Sequence, residues 1–596
     1  MRLVYIANIR LPTEKAHGLQ IMKMCESFSG LEIGGEKLNI ELVVPRRLNP
    51  INEDPFVYYN VSRNFKIKYL SVLDLVRLGR VGFWVTSLSF SFVSFLYILF
   101  LKPDIIYSRH DASLFFLSFL KNNIFWETHD GKNDFLIRRI VKKVGGIIAI
   151  SNGLRNFYIK KGVESKKISV APDAVDFNIF NISFSKEECR SRLHLPLNKK
   201  IILYSGHLYD WKGANLLLEA ARKFQILFIF IGGTISDIAD YKLKAESYKL
   251  KNIFFAGHRS HSEISLWLKA ADILVLPNSA RKDISYLFTS PLKLFEYMAS
   301  GTPIVASNLP SIREIVSDND VLFFKPDDVG DLADKIKYAL EHENEMMIRA
   351  GSARQKVQNY TWLKRAENIL SFIIQKQEER QNYIERKSDF WRAFIIGEAI
   401  AILTIPIFKN IKFFELSFLE NGFFFYFFFI LWIILLPFAA AIGLFLTHQL
   451  TILRWPVIFE IGKYGLVGLL NTFMSAGIFN VFIWATGIAA GLIVDLFIFI
   501  AFVITVTHSF FWNKFWTFKA NNRDGAKIEY LKFFSVTGGV AILEVFIMHI
   551  LINTFGAPYG LDSKIWVNIS FVFLIPFAFL GNFFGYKIFV FKNNGK

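Results

Sequence analysis

The sequence predicts two doubly wound α/β domains that face a cleft, followed by an all-α transmembrane domain. Up to about residue 380, short apolar runs alternate with helical segments, as at residues 104–107, 146–150, 201–204 and 273–276. Continuous apolar runs are typical of strands in a parallel sheet that is covered on both faces. One set precedes the loop at residues 172–174 and another follows it, which predicts two domains.

The composition indicates lipid exposure and argues against nucleic acid as a partner. Of the 596 residues, 53% are hydrophobic and 64 are Phe, which is high for a soluble protein. The net charge of +18 suits an anionic membrane surface or phosphorylated ligands. The sequence has no zinc-ligand cluster and no aromatic RNA-binding motif, so nucleic acid ranks last among partners.

The first domain is expected to lie in the cytoplasm. Cys25 and Cys189 are far apart and predict neither a disulfide framework nor a metal site, as in a reducing compartment. Residues 1–8 predict a strand that runs into a loop, without the apolar region or cleavage site of a signal peptide.

The chain divides into five predicted segments. These are a first domain at 1–175, a second domain at 176–378, a linker at 379–392, a membrane hairpin at 393–447 and a four-helix membrane domain at 460–596. The region 374–392 is rich in charge, so it predicts a polar helical linker or a surface helix.

Six apolar stretches are predicted to cross the membrane, because a span needs about 20 apolar residues. They cover residues 393–408, 423–446, 465–486, 490–511, 533–553 and 566–586. The first of them contains Glu398, which we expect to face the helix bundle. The alternative is that residues 423–446 bend back at Pro437 without crossing, which leaves four spans.

Residues 82–101 are nearly free of charge although they precede a predicted strand. The favoured interpretation is a helix packed against the first sheet, because a membrane span here would split a domain. The alternative is a helix that leans on the membrane surface.

The run at residues 290–303 predicts a short helix whose N-terminus binds an anion. Ser290 suits the N-cap, a proline follows it, and Gly301 can end the helix. The free N–H groups and the helix dipole favour an anion, and Lys293 adds positive charge. Glu296 lies on the same face, where its carboxylate can accept hydrogen bonds from a sugar.

This run resembles the C-terminal signature of glycosyltransferase family 4, retaining enzymes with the GT-B fold of two Rossmann-like domains. The resemblance implies that the helix N-terminus binds a nucleotide diphosphate and that the glutamate binds the ribose. These roles fall on Ser290, Leu292 and Glu296. The family pattern E-x7-E has Phe288 at its first glutamate position here, which puts the holding of the donor sugar in doubt.

Residues 205–213 resemble the family's G-R-L…K-G loop, whose arginine and lysine bind the diphosphate. Lys212 matches the lysine. His207 stands at the arginine position, so one phosphate ligand is weaker or absent.

Two N-terminal loops also resemble the family. Residues 127–130 match the loop whose histidine lies beside acceptor and donor sugar, which makes His129 the catalytic candidate. Residues 12–20 resemble the loop after the first strand, where Gly18 would let the backbone approach the ligand. The resemblance covers roughly residues 1–378.

No D-x-D pair follows a strand in the first domain, so we expect no metal and no cofactor. Lys212, Lys293 and the helix dipole would stabilise the leaving diphosphate instead. The nucleotide sugar itself is expected as a substrate.

Residues 460–596 resemble the GtrA-like family, four-helix membrane proteins linked to polyprenyl-phosphate sugars. The matching pieces are residues 463–472 and 511–518, with Lys514 where the family usually has arginine. An internal repeat is visible, because residues 463–465 and 532–534 each open a pair of spans.

Polar residues at or near membrane depth are costly in lipid and are functional candidates. They are Asn471, His508, Asn513, Glu544, His549 and Asn582. The alternative interpretation is interhelical hydrogen bonding. Asn513 and Lys514 are favoured as functional because they lie at a membrane edge, where a phosphate could bind.

Basic residues predict the orientation of the spans. Basic residues flank the loop between the repeats, and others lie in the C-terminal tail and in the segment before the first repeat. These three segments are therefore expected on the cytoplasmic side of the inner membrane. The turns near 487–490 and 554–565 carry only Asp562 and Lys564. The loop at 409–422 is expected outside.

Three functions are compatible with these patterns. The leading hypothesis is a transferase that moves sugar from a nucleotide-sugar donor to a polyprenyl-phosphate lipid or a cell-surface glycan. The second is a transporter of lipid-linked sugar whose transferase domain only senses nucleotide, which Phe288 and His207 favour. The third, a soluble-type sugar transferase with an incidental anchor, fits poorly with five or six spans. The sequence does not indicate an oligomeric state.

Overall fold

The computed structural model describes residues 1–120, 123–410, 422–452, 457–488, 492–520, 526–556, 558, 576–577 and 579–591. Residues 1–379 form one compact unit and residues 380–596 form another. The first unit contains two parallel sheets, and the described part of the second unit is helical.

The first sheet has seven parallel strands in the order β5-β4-β1-β6-β7-β8-β9. Its strands are β1 Arg2–Ile6, β4 Asn39–Arg46, β5 Lys66–Ser71, β6 Ile105–Ser108, β7 Ile124–Thr128, β8 Gly146–Ala149 and β9 Ile168–Val170. A separate antiparallel hairpin, β2 Glu32–Ile33 and β3 Glu36–Lys37, precedes β4 in the chain. The strands β1, β6, β7 and β8 are buried almost throughout, as their continuous apolar sequences predict.

Six helices connect the strands of this first lobe. They are α1 Ala16–Ser29, α2 Pro55–Tyr58, α3 Gly79–Leu101, α4 Asp111–Leu117, α5 Phe135–Lys143 and α6 Asn152–Lys160. The strand order reverses between β1 and β6, and in such sheets ligands bind at the carboxyl ends of the strands at this reversal.

The second sheet has six parallel strands in the order β12-β11-β10-β13-β14-β15. They are β10 Ile201–Ser205, β11 Leu227–Ile231, β12 Ile253–Gly257, β13 Ile273–Leu276, β14 Ile304–Ser307 and β15 Leu322–Phe324. The helices of this second lobe are α7 Phe177–Phe180, α8 Lys186–Arg192, α9 Ala214–Ala220, α10 Ile235–Ser247, α11 His261–Ala270, α12 Leu292–Ser300, α13 Pro310–Arg313, α14 Val329–Glu341 and α15 Glu343–Val357. The predicted α/β class with two doubly wound sheets is confirmed.

The chain returns to the first lobe after the second sheet. The next helix, α16 Trp362–Asn410, places Trp362, Ala366, Ile369 and Ile373 in the core of the first lobe. The first lobe therefore includes residues that the predicted boundary at 176–378 assigned to the second domain. The residues 379–392, expected as a linker, are part of the same helix.

Helix α3 packs against the first lobe, as the favoured interpretation of residues 82–101 predicts. Phe90 and Ile98 are fully buried in the core with β1 and β6. By length and composition alone, the segment Val76–Leu101 could cross a membrane. Its place between β5 and β6 makes it a connection within the sheet instead.

The described part of the second unit contains the end of α16 together with α17 Gly422–Ile452, α18 Val457–Thr486, α19 Leu492–Trp512 and α20 Ala526–His549. Helix α17 continues through Pro437 without interruption. The alternative in which residues 423–446 bend back at this proline is therefore wrong. In the part of the chain that the structure describes, Trp362–Phe408, Tyr426–Leu450 and Val457–Thr486 of this region are long and apolar enough to span a membrane.

The full number of spans stays a prediction. Most of the sixth stretch, residues 566–586, lies outside the described residues, as do Asp562, Lys564 and most of the predicted external loop at 409–422. Residues 579–585 are helical and lead into a π-helical turn at Tyr586–Val590.

Candidate active site

The N-terminus of α12 opens beside the segment that crosses between the two lobes. The helix begins at Leu292, and its N-cap is Pro291 rather than the predicted Ser290. The Ser290 hydroxyl oxygen instead accepts a hydrogen bond of 2.8 Å from the backbone N–H of Asp173. Ser290 therefore attaches the helix start to the crossing segment, and its hydroxyl can still donate a bond. Gly301 ends the helix with φ of 68°, as predicted.

Lys293 is a buried amine at the start of this helix. Its Nζ has no hydrogen-bond partner in the described part of the chain and lies 4.4 Å from the centre of the Tyr204 ring. Burial and the neighbouring Lys212 hold the pKa of Lys293 well below its usual value, and Glu296 opposes this only in part. A buried amine without a partner is costly, which points to a ligand that supplies negative charge.

Lys212 lies in the loop that follows β10, in a single 3-10 turn at Asp210–Lys212. Burial lowers the pKa of its ammonium to about 8, and Glu296 partly opposes this shift. The structure thus brings Lys212, Lys293 and Glu296 into one electrostatic group at the carboxyl ends of β10 and β13. These positions meet at the strand reversal of the second sheet.

His207 stands in the same loop, stacked on Tyr209 with ring centres 5.1 Å apart. Its Nδ1 is buried without a hydrogen-bond partner among the described residues. Burial, followed by the charge of Lys212, lowers the pKa of His207. A neutral imidazole can donate one bond to a phosphate but brings no full charge, in contrast to arginine.

The first lobe contributes a hydrogen-bonded group around Glu127, a buried residue at the end of β7. Its carboxylate lies 2.6 Å from His129 Nε2 and 3.4 Å from Arg365, and it also accepts a bond from the Tyr107 hydroxyl. Burial opposes its charge, but Arg365 and His129 outweigh burial and hold the pKa of Glu127 well below its usual value.

His129 is neutral at pH 7 in this environment. Burial and then the nearby Arg109 lower its pKa to about 4, although Glu127 works in the opposite direction. The neutral ring donates through Nε2 to the charged carboxylate, which leaves Nδ1 as an acceptor. The side chain is 23% exposed.

Gly18 has a packing role that the sequence did not reveal. A Cβ at this position would lie 2.1 Å from the Tyr59 hydroxyl and 2.7 Å from Thr13 Cγ2. That hydroxyl donates to the Thr13 carbonyl and accepts from its N–H, both at 2.7 Å. The packing of the loop therefore requires glycine at this position, and the approach of its backbone to a ligand stays a prediction.

Phe288, at the position of the family's first glutamate, packs into the first lobe. A Cβ on Gly131 would lie 2.5 Å from Phe288 Cε2, and the Phe288 and Phe157 rings are 5.6 Å apart. Next to it, the Leu287 carbonyl accepts a bond of 3.0 Å from the Ser151 hydroxyl. The π-helical segment Ile284–Phe288 thus contacts both lobes and places an aromatic ring at the position of that glutamate.

Sequence reasoning missed Asn278, which follows β13 and is 1% exposed. Both polar atoms of its amide are buried without hydrogen-bond partners in the described chain. An asparagine just beyond a buried strand of a parallel sheet was the available signal, since such positions face the ligand. Among the described residues, no cluster of three or more His, Cys, Asp or Glu side chains could hold a metal ion.

The membrane unit contains two reciprocal ion pairs. Lys514 pairs with Glu529, and Lys587 pairs with Glu460. Lys514 and Lys587 occupy the same place in the two repeats, each within a π-helical turn, Asn513–Thr517 and Tyr586–Val590. Glu460 and Glu529 each stand three residues before the lysine that opens a repeat. Each repeat therefore completes the charge pair of the other.

The predicted polar candidates of this unit are mostly hydrogen bonded. Asn471 donates 2.7 Å to Ser509, and His508 lies 3.5 Å from the Asn471 carbonyl oxygen. Asn513 is fully buried, and its Oδ1 has no partner among the described residues, which is also true of Asn582 Oδ1. Lys514 is 2% exposed at its side chain. The side chains of Glu544 and His549 lie outside those that the structure describes.

A third ion pair in this unit is buried on both sides. Lys463 Nζ lies 2.5 Å from Asp389, and their side chains are 3% and 4% exposed. The indole N–H of Trp516 donates 2.8 Å to the other oxygen of the same carboxylate. The carboxylate thus joins α16 to both ends of the first repeat.

Comparison with known proteins identifies the domain that carries α12 and the two lysines. Residues 185–357 match the family model described as glycosyl transferases group 1. The chain carries a group 1 glycosyl transferase domain. Residues 463–591 match the model described as the GtrA/DPMS transmembrane domain. Both resemblances predicted from the sequence are confirmed, and the protein is multi-pass by these matches and its apolar helices.

Curated relatives match part of the chain. A D-inositol 3-phosphate glycosyltransferase of Mycolicibacterium smegmatis is 26% identical over 215 residues, which are 35% of this chain and 47% of the relative. A protein of the same description from an Arthrobacter species is 29% identical over 160 residues, 25% of this chain and 36% of the relative. The chain thus spans less than half the length of these two relatives.

Solved structures show the GT-B fold of the first unit. HepE of Anabaena in complex with UDP and glucose has a TM-score of 0.50 at 15% identity and covers 63% of this chain and 100% of its own. Sucrose-phosphate synthase of Thermosynechococcus elongatus has a TM-score of 0.53 at 18% identity, with 64% and 99% covered. At these identities the likeness concerns the fold alone.

The two lysines of the group 1 domain predict a proton uptake when a nucleoside diphosphate binds. The diphosphate favours the charged amines and raises both depressed pKa values, so protons must be taken up. We expect net proton uptake on binding, with a growing contribution from Lys212 as the pH approaches 8. Calorimetry in buffers of different ionisation enthalpy measures it, and a binding enthalpy independent of the buffer would contradict it.

Proposed function

We propose that this protein is a membrane-bound, retaining glycosyltransferase that acts at the cytoplasmic face of the inner membrane. It transfers a hexose-type sugar from a nucleotide-sugar donor to a polyprenyl-phosphate lipid or another lipid-linked or cell-surface glycan, without a metal ion. The GtrA/DPMS domain binds or translocates the polyprenyl-linked sugar. The observation that carries the proposal is the buried, partnerless amine of Lys293 at the start of α12.

The donor site is supported by the chemistry of the second lobe. The N–H groups at the start of α12 and the amines of Lys212 and Lys293 provide the positive charge that a departing diphosphate requires. Glu296 supplies a carboxylate acceptor for the ribose hydroxyls. This charge is in place once the donor has bound and the amines are protonated, so no metal ion is needed to stabilise the leaving group.

The acceptor side is supported by the first lobe. The imidazole of His129 is oriented by its bond to Glu127, which is in turn paired with Arg365. A neutral imidazole in this place can hold a sugar or acceptor hydroxyl at the donor sugar. Retention of configuration then requires attack on the same face that the diphosphate leaves.

The lipid acceptor is supported by the membrane unit. Asn513 Oδ1 and Asn582 Oδ1 are buried acceptors without partners among the described residues, and sugar hydroxyls could donate to them. Lys514, which pairs with Glu529, places a cation in the same segment as Asn513. Positive residues around the repeats orient this unit with its basic ends in the cytoplasm, where nucleotide sugars are available.

Transfer by the purified full chain tests the proposal. The protein in detergent is offered a panel of nucleotide sugars, with and without undecaprenyl phosphate, and both donor hydrolysis and lipid-linked product are measured. We expect one donor to be consumed faster when the lipid is present. No turnover of any donor, despite binding of the nucleoside diphosphate, would contradict the proposal.

That contradictory outcome is the one expected from a second candidate function. Phe288 is packed against Gly131 and Phe157, so the carboxylate that the family uses at this position is replaced by an apolar contact. A transporter of lipid-linked sugar that senses nucleotide through a non-catalytic domain needs the diphosphate site alone. Binding without turnover, together with nucleotide-dependent transfer of lipid-linked sugar across vesicles, would favour it.

His129→Ala should reduce turnover much more than nucleotide binding. The ring belongs to the first lobe and faces the acceptor side, whereas the lysines of the second lobe bind the diphosphate. We expect kcat to fall by about a hundredfold, with the Kd for nucleoside diphosphate changed by less than about threefold. Steady-state kinetics and calorimetry measure the two. A variant with full turnover would mean that His129 only packs against Glu127.

A further inference from the structure

Helix α3 has its polarity reversed relative to an ordinary surface helix. Its buried side is rich in hydroxyl groups, since Thr86, Ser87, Ser91 and Ser94 are all at most 2% exposed. Its outer side is a continuous row of large apolar residues at helical spacing. We call this row the apolar face, and it consists of Val81, Trp84, Leu88, Phe92, Leu96 and Leu99.

The buried hydroxyls are satisfied within the lobe, so the reversal is stable in the fold. Thr86 donates 2.8 Å to the Gly82 carbonyl, and Ser91 donates 2.8 Å to the Ser87 carbonyl. The Ser87 hydroxyl is 3.0 Å from His110 Nε2. The first two bonds lie within the helix itself, whereas rotation of α3 to bury its apolar face would break the contact between Ser87 and His110.

The apolar face is large and exposed. Trp84 is 57% exposed, Phe92 51% and the adjoining Phe100 87%. A helix of 23 residues is about 34 Å long, so the row covers more than the scattered apolar residues of a soluble surface. Such a face needs a non-aqueous partner.

The charges around the face select the partner. Residues 77–102 contain Arg77, Arg80 and Lys102 and no acidic residue, and these three cations are exposed at the two ends of the helix. Helix α4 packs beside α3 through Phe116 and Phe92. Beyond it, the exposed Phe119 has the guanidinium of Arg139 of α5 3.9 Å from the centre of its ring. Apolar side chains framed by cations fit the surface of an anionic bilayer.

We propose that the apolar face of α3 inserts into the surface of an anionic lipid bilayer, as a second membrane contact of this chain. The helix lies in the plane of the interface, since its two ends continue into β5 and β6 of one sheet. The GtrA/DPMS domain fixes the chain to a bilayer, so the face meets lipid at a high effective concentration. The contact does not depend on sugar transfer, and it would bring the acceptor-side lobe to the lipid surface.

Site-directed fluorescence on the full chain tests this contact. In a background with Cys25→Ala and Cys189→Ala, both buried free cysteines, one variant carries Phe92→Cys labelled with the fluorophore NBD. The matched control is Ile235→Cys, an apolar residue of the second lobe that is 91% exposed. Both are reconstituted in vesicles of phosphatidylcholine with phosphatidylglycerol, with or without lipid that carries a nitroxide quencher. A thermal unfolding midpoint equal to that of the unlabelled protein verifies the fold.

We expect the nitroxide lipid to remove roughly half of the emission at position 92, whereas aqueous iodide has little effect there. The opposite is expected at position 235. Arg77→Gln with Arg80→Gln should reduce the lipid quenching at position 92, as should omission of phosphatidylglycerol. Equal access of iodide to both positions would overturn the proposal. Protection from both quenchers would overturn it too, because a protein surface such as a second copy would then cover the face. Neither result bears on the proposed function, since the experiment uses no nucleotide sugar.

Discussion

Lys293→Met is expected to weaken nucleoside-diphosphate binding by about tenfold or more, because a charge-assisted bond is worth about 1.5–3 kcal/mol. The same substitution should stabilise the ligand-free protein. The amine of Lys293 is buried without a hydrogen-bond partner in the described chain, and methionine has a similar length without the polar group. Titration calorimetry and thermal unfolding of the full chain in detergent measure the two effects. Glu296→Ala should also weaken binding by about tenfold, through loss of the ribose acceptor.

Lys242→Met is the matched control, because Lys242 is an exposed lysine of α10 in the same lobe. It should change neither binding nor Tm. A Lys293→Met protein that binds diphosphate like the wild type would remove Lys293 from the donor site. A lower Tm with unchanged binding would mean that the amine serves packing alone.

Asp389→Ala is expected to destabilise the membrane unit strongly. The substitution leaves the Lys463 ammonium buried without its carboxylate and removes the acceptor of the Trp516 indole. Breaking a buried pair in this way costs about 3–5 kcal/mol. For a unit of this size that corresponds to a Tm lower by roughly ten degrees, measured by thermal unfolding of the full chain in detergent.

Glu385→Ala provides the comparison within the same helix. Its partner Lys519 is 53% exposed, so the loss should be at most about 1 kcal/mol. Replacing both members of the buried pair, Asp389→Leu with Lys463→Met, should restore at least half of the lost stability, since no uncompensated charge remains. Equal losses for Asp389→Ala and Glu385→Ala would show that the Lys463 pair is open to water.

The parts of the fold that could be predicted are those in which the local pattern and the tertiary structure agree. The apolar runs at 201–204 and 273–276 are β10 and β13 because only a strand covered on both faces can bury every side chain. The end of α12 at Gly301 follows from a residue that tolerates positive φ. The electrostatic group of Lys212, Lys293 and Glu296 was expected from motifs at the ends of these same elements.

The remaining features depend on contacts between residues far apart in sequence. Ser290 is not the N-cap, and its hydroxyl oxygen accepts a hydrogen bond from the backbone N–H of Asp173, 117 residues away. Gly18 packs against Tyr59, and Phe288 packs against Gly131. No local sequence pattern reveals either contact. The sequence likewise does not predict that α16 returns to the first lobe, because the apolar residues of an amphipathic helix could pack against either sheet.

The reciprocal ion pairs of the membrane repeats have a consequence for assembly. Since Lys514 of one repeat pairs with Glu529 of the other, and Lys587 with Glu460, neither repeat can satisfy its charges by itself. Two copies of a single repeat, related by a two-fold axis, could form both pairs by exchange of identical contacts. The arrangement is that of a homodimer whose halves have been joined into one polypeptide. Divergence of the halves then allows a polar residue such as Asn471 to stand in one repeat while Val540 occupies the equivalent position in the other.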